Sequence, residues 1–299
     1  EVPVVVWDVQ RVGPSTGLPT RTSQGDLTFA SFNGHGDTEY IILIPGNINE
    51  CFEFGWKAFD LAEMFQTPVV VLSDLDLGMN HWVSQKFQYP DTPIQRGKVL
   101  WENDLDDLLK RLKGNWGRYM DVDGDGIPYR TLPGNKHPHS AYFTRGTGHD
   151  EYAMYREDPE VWESLLNRLK RKLSSSQYKV PHPIIDIDED VFTGIITFGS
   201  NDQIMAEVRD RLSDIGIKTN YLRIRALPFS DEVDAFIAHN EKCYVVEANR
   251  DGQLRQLLIL NKPEFAAKLI QLSHIDGLPI TANWVIDQIM LHEKVQLEE

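Results

Sequence analysis

The chain has 299 residues, 41% of them hydrophobic and 25% charged, a globular composition that excludes disorder. Thirty Lys and Arg against 45 Asp and Glu leave a net charge of −15, which argues against nucleic acid or an anionic membrane as partner. Two cysteines, Cys51 and Cys243, form neither a disulfide framework nor a cluster motif and point to a reducing cytoplasm.

The length suggests two domains. No apolar run is long enough to span a membrane, and the start lacks a signal-peptide pattern. Glu1-Val2-Pro3 enters a strand almost at once without an initiator Met, so a fragment of a longer chain is expected. Val4 to Trp7 reads as a buried strand. Gln10 to Asp37 follows, and its Gly13, Pro14, Gly17 and Pro19 predict an extended loop rather than helix or strand. The loop is rich in hydroxyls and cations and leaves the carboxyl end of a strand, where ligands of open α/β sheets bind. An anion held by a guanidinium and hydroxyls is the natural guest, and an ordinary surface loop is the alternative.

Ile41 to Ile44 predicts a second strand. A helix follows from about Asn49, with Phe54, Ala58, Leu61 and Phe65 as its apolar stripe. Asn47 or Asn49 caps it, and Thr67-Pro68 ends it. Val69 to Leu72 is a third strand, so this is a βαβ unit with a parallel sheet.

Residues 80–190 read as irregular and polar, with two helical islands. Leu105, Leu108, Leu109 and Leu112 mark the first, capped by Asn103 or Asp104. Asp158-Pro159 opens the second, which carries Val161, Leu165, Leu169 and Leu173. Between them, Asp121, Asp123 and Asp125 match positions 1, 3 and 5 of a calcium loop, with Gly126 at the turn. Leu132 stands where a bidentate Glu is required and Pro128 would disrupt the exiting helix, so an EF-hand is excluded. A shortened Ca²⁺ or Mg²⁺ loop and a solvated acidic turn remain. His35, His137, His139 and His149 read as loop histidines, because His137-Pro138-His139 is too tight for both rings to face one ion.

Ser174 to Asp190, polar and containing Pro181 and Pro183, reads as a linker. Beyond it come a strand at Gly194–Phe198, a turn at Gly199-Ser200-Asn201, and a helix with Ile204, Val208, Leu212 and Ile215 on one face. A weakly alternating strand at Ile217–Ile224, a helix capped by Ser230 and carrying Val233, Phe236 and Ile237, and a strand at Cys243–Glu247 complete a second parallel α/β unit. The amides of Gly199, Ser200 and Asn201 stand at a strand end before a helix and could hold an anion; a tight turn without ligand is the alternative.

The order Arg11, Gly13-Pro14-Ser15-Thr16-Gly17-Leu18-Pro19-Thr20, Gln24-Gly25-Asp26-Leu27, Gly34-His35-Gly36 resembles the α subunit of 2-oxoacid:ferredoxin oxidoreductases. The resemblance continues through Pro45 to Asp74. It resumes at Ile196–Ser200, Leu222–Phe229, Val245–Asn249 and Gly252-Gln253-Leu254, which are similar to the transketolase C-terminal-like domain of the same subunits. It implies an α/β fold: the C-terminal part of a pyrimidine domain at 1–80, an insertion and linker at 81–190, and a transketolase C-terminal-like domain at 191–299. It implies a thiamine-diphosphate enzyme that decarboxylates a 2-oxoacid oxidatively to an acyl-CoA and reduces ferredoxin. The Asp121–Gly134 insertion resembles subunits of the 2-oxoglutarate branch. Arg11 and Thr20, with Thr16 beside them, face the substrate carboxylate in such subunits.

The resemblance also implies a hetero-oligomer in which thiamine diphosphate and Mg²⁺ are shared with a β subunit that holds the diphosphate and the metal, a [4Fe–4S] cluster sits on a partner, and ferredoxin and coenzyme A act through the complex. Gly124-Asp125-Gly126 looks like the opening of a thiamine-diphosphate motif, but Arg156 stands where its closing Asn belongs. The family's activating glutamate and its threonine-bearing substrate loop have no counterpart and are expected before Glu1. The isolated chain is therefore expected to lack catalytic residues and activity. The rival reading is a non-catalytic α/β assembly module with a structural cation loop at Asp121–Gly126.

Overall fold

Nine extended residues, Val4–Val12 (β1), begin the chain, and the computed structural model describes residues 1–298, with side chains through Glu293. The expected long loop folds back on β1 as Leu18–Thr22 (β2), an antiparallel hairpin with Arg11 opposite Thr22, and then turns into Leu27–Ser31 (α1). The glycines and prolines that predicted a loop occupy the turn and the outer strand, where missing ladder donors cost little. Val4, Val6 and Trp7 are 44%, 47% and 39% exposed rather than buried. Pairing with β2 begins only at Arg11, so this half of β1 is an edge among the described residues.

Ile41–Leu43 (β3), Ile48–Phe65 (α2) and Pro68–Asp74 (β4) form the expected βαβ unit, with β3 and β4 parallel. Asn47 caps α2, its Oδ1 accepting from Glu50 N–H at 2.9 Å, and Gln66 ends the helix in a left-handed conformation. Leu75–Met79 (α3) leads into the insertion, whose helices are Glu102–Arg111 (α4) and Pro159–Ser174 (α5). Asp104 closes the start of α4 by accepting from Trp101 N–H at 3.0 Å. Asp158 does not cap α5; its carboxylate takes Arg156 Nε at 2.6 Å.

The stretch expected to be a linker contributes Ile184–Asp186 (β5), antiparallel to Asn220–Ile224 (β7). The remaining elements are Thr193–Phe198 (β6), Asp202–Asp214 (α6), Ala226–Leu227 (β8), Asp231–His239 (α7), Lys242–Glu247 (β9), Gln253–Asn261 (α8), Leu269–Ser273 (β10) and Ala282–Glu298 (α9). On α6 the buried face is Met205, Val208 and Leu212, while Ile215 lies past the helix end, exposed. β7 is buried at all five residues instead of alternating, because it lies inside a sheet covered on both faces.

The two sheets run β2-β1-β4-β3-β8 and β10-β9-β6-β7-β5. β8 crosses from the second unit to pair antiparallel with β3. One shared core joins the sheets: Ile42, Ile44 and Leu72 meet Ile196, Phe198 and Leu222, with α1, α7 and α8 between them. α2 covers the outer face of the first sheet, and α6 and α9 cover that of the second. The carboxyl ends of β1, β4, β6 and β9 thereby meet at one joint.

Candidate functional site at the strand ends

Arg11 sits one residue before the hairpin turn, exposed, with its Nη1 donating to Pro19 O at 3.3 Å. Thr20 is two residues before Thr22, the ladder partner of Arg11, and Thr16 lies in the turn; Thr16 and Thr20 are exposed. The hairpin therefore presents a cation and two hydroxyls outward from the end of the first sheet. That donor set fits a carboxylate, which a guanidinium can bind through two parallel hydrogen bonds.

Behind the hairpin lies a buried polar network that sequence reasoning missed. Gln10 Nε2 donates to Ser73 O at 3.2 Å, and its Oε1 accepts from Asp26 N–H at 3.0 Å. Asp8 and Asp26 are half-buried, and burial pushes both carboxyls above their ordinary range, with the charge of Asp26 adding to the effect on Asp8. Asp74, 1% exposed at the end of β4, accepts from the Ser200 hydroxyl at 2.5 Å and from Leu77 N–H at 3.1 Å. Burial raises its pKa more strongly than these bonds lower it. The Gly199-Ser200-Asn201 turn thus receives a carboxyl group from within the protein: Asp74 meets the hydroxyl of Ser200 and, at 3.4 Å, its amide.

The same self-filling recurs at two other helix starts. Glu247, fully buried, accepts from Leu254 N–H at 2.8 Å and Arg255 N–H at 3.1 Å at the beginning of α8. Glu50, near the beginning of α2, accepts from Gly46 N–H at 2.8 Å and from both terminal nitrogens of Arg223 at 2.8 and 2.7 Å. Burial works against the charge of Glu50, but Arg223 outweighs it and holds the pKa below the usual value. A Cβ at Gly46 would lie 1.7 Å from Arg223 Nη1, so this close approach requires glycine. Helix starts are the ordinary seats of phosphate groups. These three are taken by the protein's own carboxylates and do not fit a diphosphate.

The acidic loop is met by cationic side chains of the protein itself. Lys98 Nζ donates to Asp123 and Asp125, each at 2.8 Å, and Arg171 Nη2 donates to Asp121 at 2.9 Å. Asp121 and Asp125 also accept backbone amides from Gly126 and Ile127. Burial opposes the charge on Lys98, yet the two aspartates outweigh it and raise its pKa. The Lys98 ammonium stands between Asp123 and Asp125, and no group of three or more His, Cys, Asp or Glu side chains among the described residues is arranged to hold a metal. His35, within the hairpin-to-β3 connection, is exposed.

Residues 1–96 match the family described as "Pyruvate flavodoxin/ferredoxin oxidoreductase, thiamine diP-bdg". A 2-oxoacid:ferredoxin oxidoreductase α subunit from Aeropyrum pernix is 35% identical over 265 residues, covering 86% of this chain. The KorA subunit of 2-oxoglutarate synthase from Methanothermobacter marburgensis is 32% identical over 253 residues, covering 83%. The chain belongs to the 2-oxoacid:ferredoxin oxidoreductase α subunits. It spans 39% of the length of the first relative and 63% of the second.

A solved structure of the 2-oxoglutarate:ferredoxin oxidoreductase from Magnetococcus marinus, with 2-oxoglutarate, coenzyme A and succinyl-CoA bound, superposes with a TM-score of 0.83 at 30% identity. The match covers 96% of this chain and 48% of that one. The family-matched residues contain the Arg11 hairpin and the βαβ unit behind it, so the first of the stretches that carried the resemblance also holds the candidate site. No helix among the described residues is long and apolar enough to cross a membrane.

Proposed function

We propose that this chain supplies the substrate-carboxylate hairpin of a thiamine-diphosphate-dependent 2-oxoacid:ferredoxin oxidoreductase. The observation that carries the reading is the exposed Arg11, set near the end of β1 on the hairpin that also carries the exposed Thr16 and Thr20, inside the family-matched segment. In the reaction the bond between C1 and C2 of the 2-oxoacid breaks and CO₂ leaves. The acyl group joins the sulfur of coenzyme A, one proton is released, and two electrons pass to ferredoxin. This chain's share is to bind and orient the leaving carboxylate, and the filled helix starts leave the diphosphate of the shared thiamine cofactor, with its Mg²⁺, to a β subunit. The [4Fe–4S] cluster belongs to a partner as well, since Cys51 and Cys243 are single thiols whose pKa burial raises to about 12. Thiols of this kind suit a cytoplasmic, ferredoxin-linked assembly.

Kinship with 2-oxoglutarate synthase subunits favours 2-oxoglutarate over pyruvate. Assembly with the β subunit, followed by viologen reduction with each 2-oxoacid and coenzyme A, tests both points. Turnover with 2-oxoglutarate at a higher kcat/KM than with pyruvate is expected. A correctly assembled complex inactive with every 2-oxoacid overturns the reading, and a preference for pyruvate overturns the substrate choice. The ammonium of Lys98 between Asp123 and Asp125 weighs against the structural cation of the rival assembly module.

A further inference from the structure

Gln24 leaves β2 by two residues and is 1% exposed. Its Nε2 donates to Phe198 O at 2.9 Å, and its Oε1 accepts from Asn201 Nδ2 at 2.8 Å and from Ala248 N–H at 3.0 Å. Its backbone N–H donates to Ala248 O at 2.7 Å, and its carbonyl accepts from Asn249 Nδ2 at 3.1 Å. All five partners belong to the second sheet's strand ends and the turns after them. A carboxamide offers two donor hydrogens and two acceptor lone pairs in one plane, so three used together fix both its position and its orientation. Gly199 stands at φ +62°, and a Cβ there would lie 2.7 Å from Gln24 Nε2; the backbone opens to admit this side chain.

Two residues upstream, Thr22 is held from both sides. Its N–H donates to Gly277 O at 3.1 Å, and its Oγ1 accepts from Asp76 N–H at 3.3 Å. Thr22 is the ladder partner of Arg11. The route from the second unit to the exposed guanidinium is therefore short and continuous: Gln24, Thr22, Arg11.

We propose that Gln24 is a positioning residue, through which the second α/β unit sets the pose of the Arg11 hairpin toward the substrate carboxylate. The proposal rests on the carboxylate-binding role given to Arg11 above. It assigns the second unit a task in the first unit's site: its strand ends grip the hairpin's exit. Replacing the carboxamide by an apolar side chain of similar length leaves the buried Phe198 carbonyl, Ala248 amide and Asn201 amide without this partner, and the hairpin loses its inner anchor.

The test is made in the assembled enzyme with Gln24→Met, Arg11→Ala and the double variant, and with Asn201→Ala as a second route to the same joint. Two readouts are taken: KM and kcat for the 2-oxoacid, and hydrogen exchange of the amides of residues 11–22. Gln24→Met is expected to raise KM about tenfold in the Arg11 background and less than twofold in the Arg11→Ala background. Exchange in the hairpin should quicken while that of β4 and β6 stays unchanged. Equal penalties in both backgrounds, or unchanged exchange in the hairpin, overturn the proposal and leave Gln24 a packing residue. If Gln24→Met does not assemble, Asn201→Ala is held to the same two criteria. If Arg11→Ala alone changes nothing, the role given to Arg11 fails and the proposal falls with it; the exchange data then show separately whether Gln24 holds the hairpin.

Discussion

Arg11 stands exposed, bonded to the carbonyl of Pro19, so its removal takes little from the fold. A hydrogen bond to a charged group contributes roughly 1.5–3 kcal/mol. Arg11→Ala should therefore lower kcat/KM for the 2-oxoacid about ten- to hundredfold in the assembled enzyme and leave the melting temperature unchanged. Arg11→Lys should recover only part of the loss, because an ammonium lacks the planar fork. Steady-state kinetics within twofold of wild type for Arg11→Ala would remove Arg11 from the site. The sequence singled out Arg11 as a candidate through the family resemblance, on a loop whose strand end, Gly, Pro and hydroxyls are a local signal. Gln24, thirteen residues on, belongs to the same resemblance but gives no local signal of its role. A glutamine among Ser, Gly and Asp reads as solvated, and its burial comes from strands that begin some 170 residues later, which no local pattern can contain.

Between residue and whole, α2 shows how an element is tied across the molecule. The stripe of Phe54, Ala58, Leu61 and Phe65 was legible as helical period and is fully packed against β3 and β4. Glu50 was not, since a first-turn glutamate ordinarily faces water, whereas here it meets Arg223 and Arg225 from β7 and the residue after it. Glu50→Gln leaves the buried guanidinium of Arg223 and the half-buried one of Arg225 short of this counterion, which should destabilise the fold by about 3–5 kcal/mol. The sign of the pH effect follows from the lowered pKa of Glu50. Its contribution is complete above the ordinary value of 4.5 and is lost as pH falls toward and through the lower folded value. Urea melts of Glu50→Gln should show a flatter acid limb than wild type; an identical limb would exonerate this pair. The acidic loop yields a second test. Millimolar Ca²⁺ or Mg²⁺ should neither release heat nor raise the melting temperature, because Lys98 already lies between Asp123 and Asp125. Stoichiometric binding by titration calorimetry would show that the ammonium can be displaced. The spacing of the aspartates was visible in the sequence, but the lysine that answers them lies 23 residues upstream of Asp121 and carries no motif.

At the scale of the whole molecule, the charge and the three filled helix starts act in one direction. Binding a diphosphate needs backbone amides or cations that are free to turn toward it. At the beginnings of α2, α6 and α8, the groups that would serve are engaged by Glu50, Asp74 and Glu247. Displacing any of them would strand a buried carboxylate, and burial already pushes Asp74 and Glu247 above their ordinary pKa. The net charge of −15 adds a general repulsion toward a polyanion. The exposed Arg11 hairpin carries too few cations to offset both effects, though it suits a single carboxylate. The chain alone should therefore show no saturable binding of thiamine diphosphate with Mg²⁺ in equilibrium dialysis at micromolar concentrations, and assembly with the β subunit should create that binding. Stoichiometric, micromolar retention by the chain without its partner would mean that one of these carboxylates gives way, and competition in Asp74→Asn and Glu247→Gln variants would identify which.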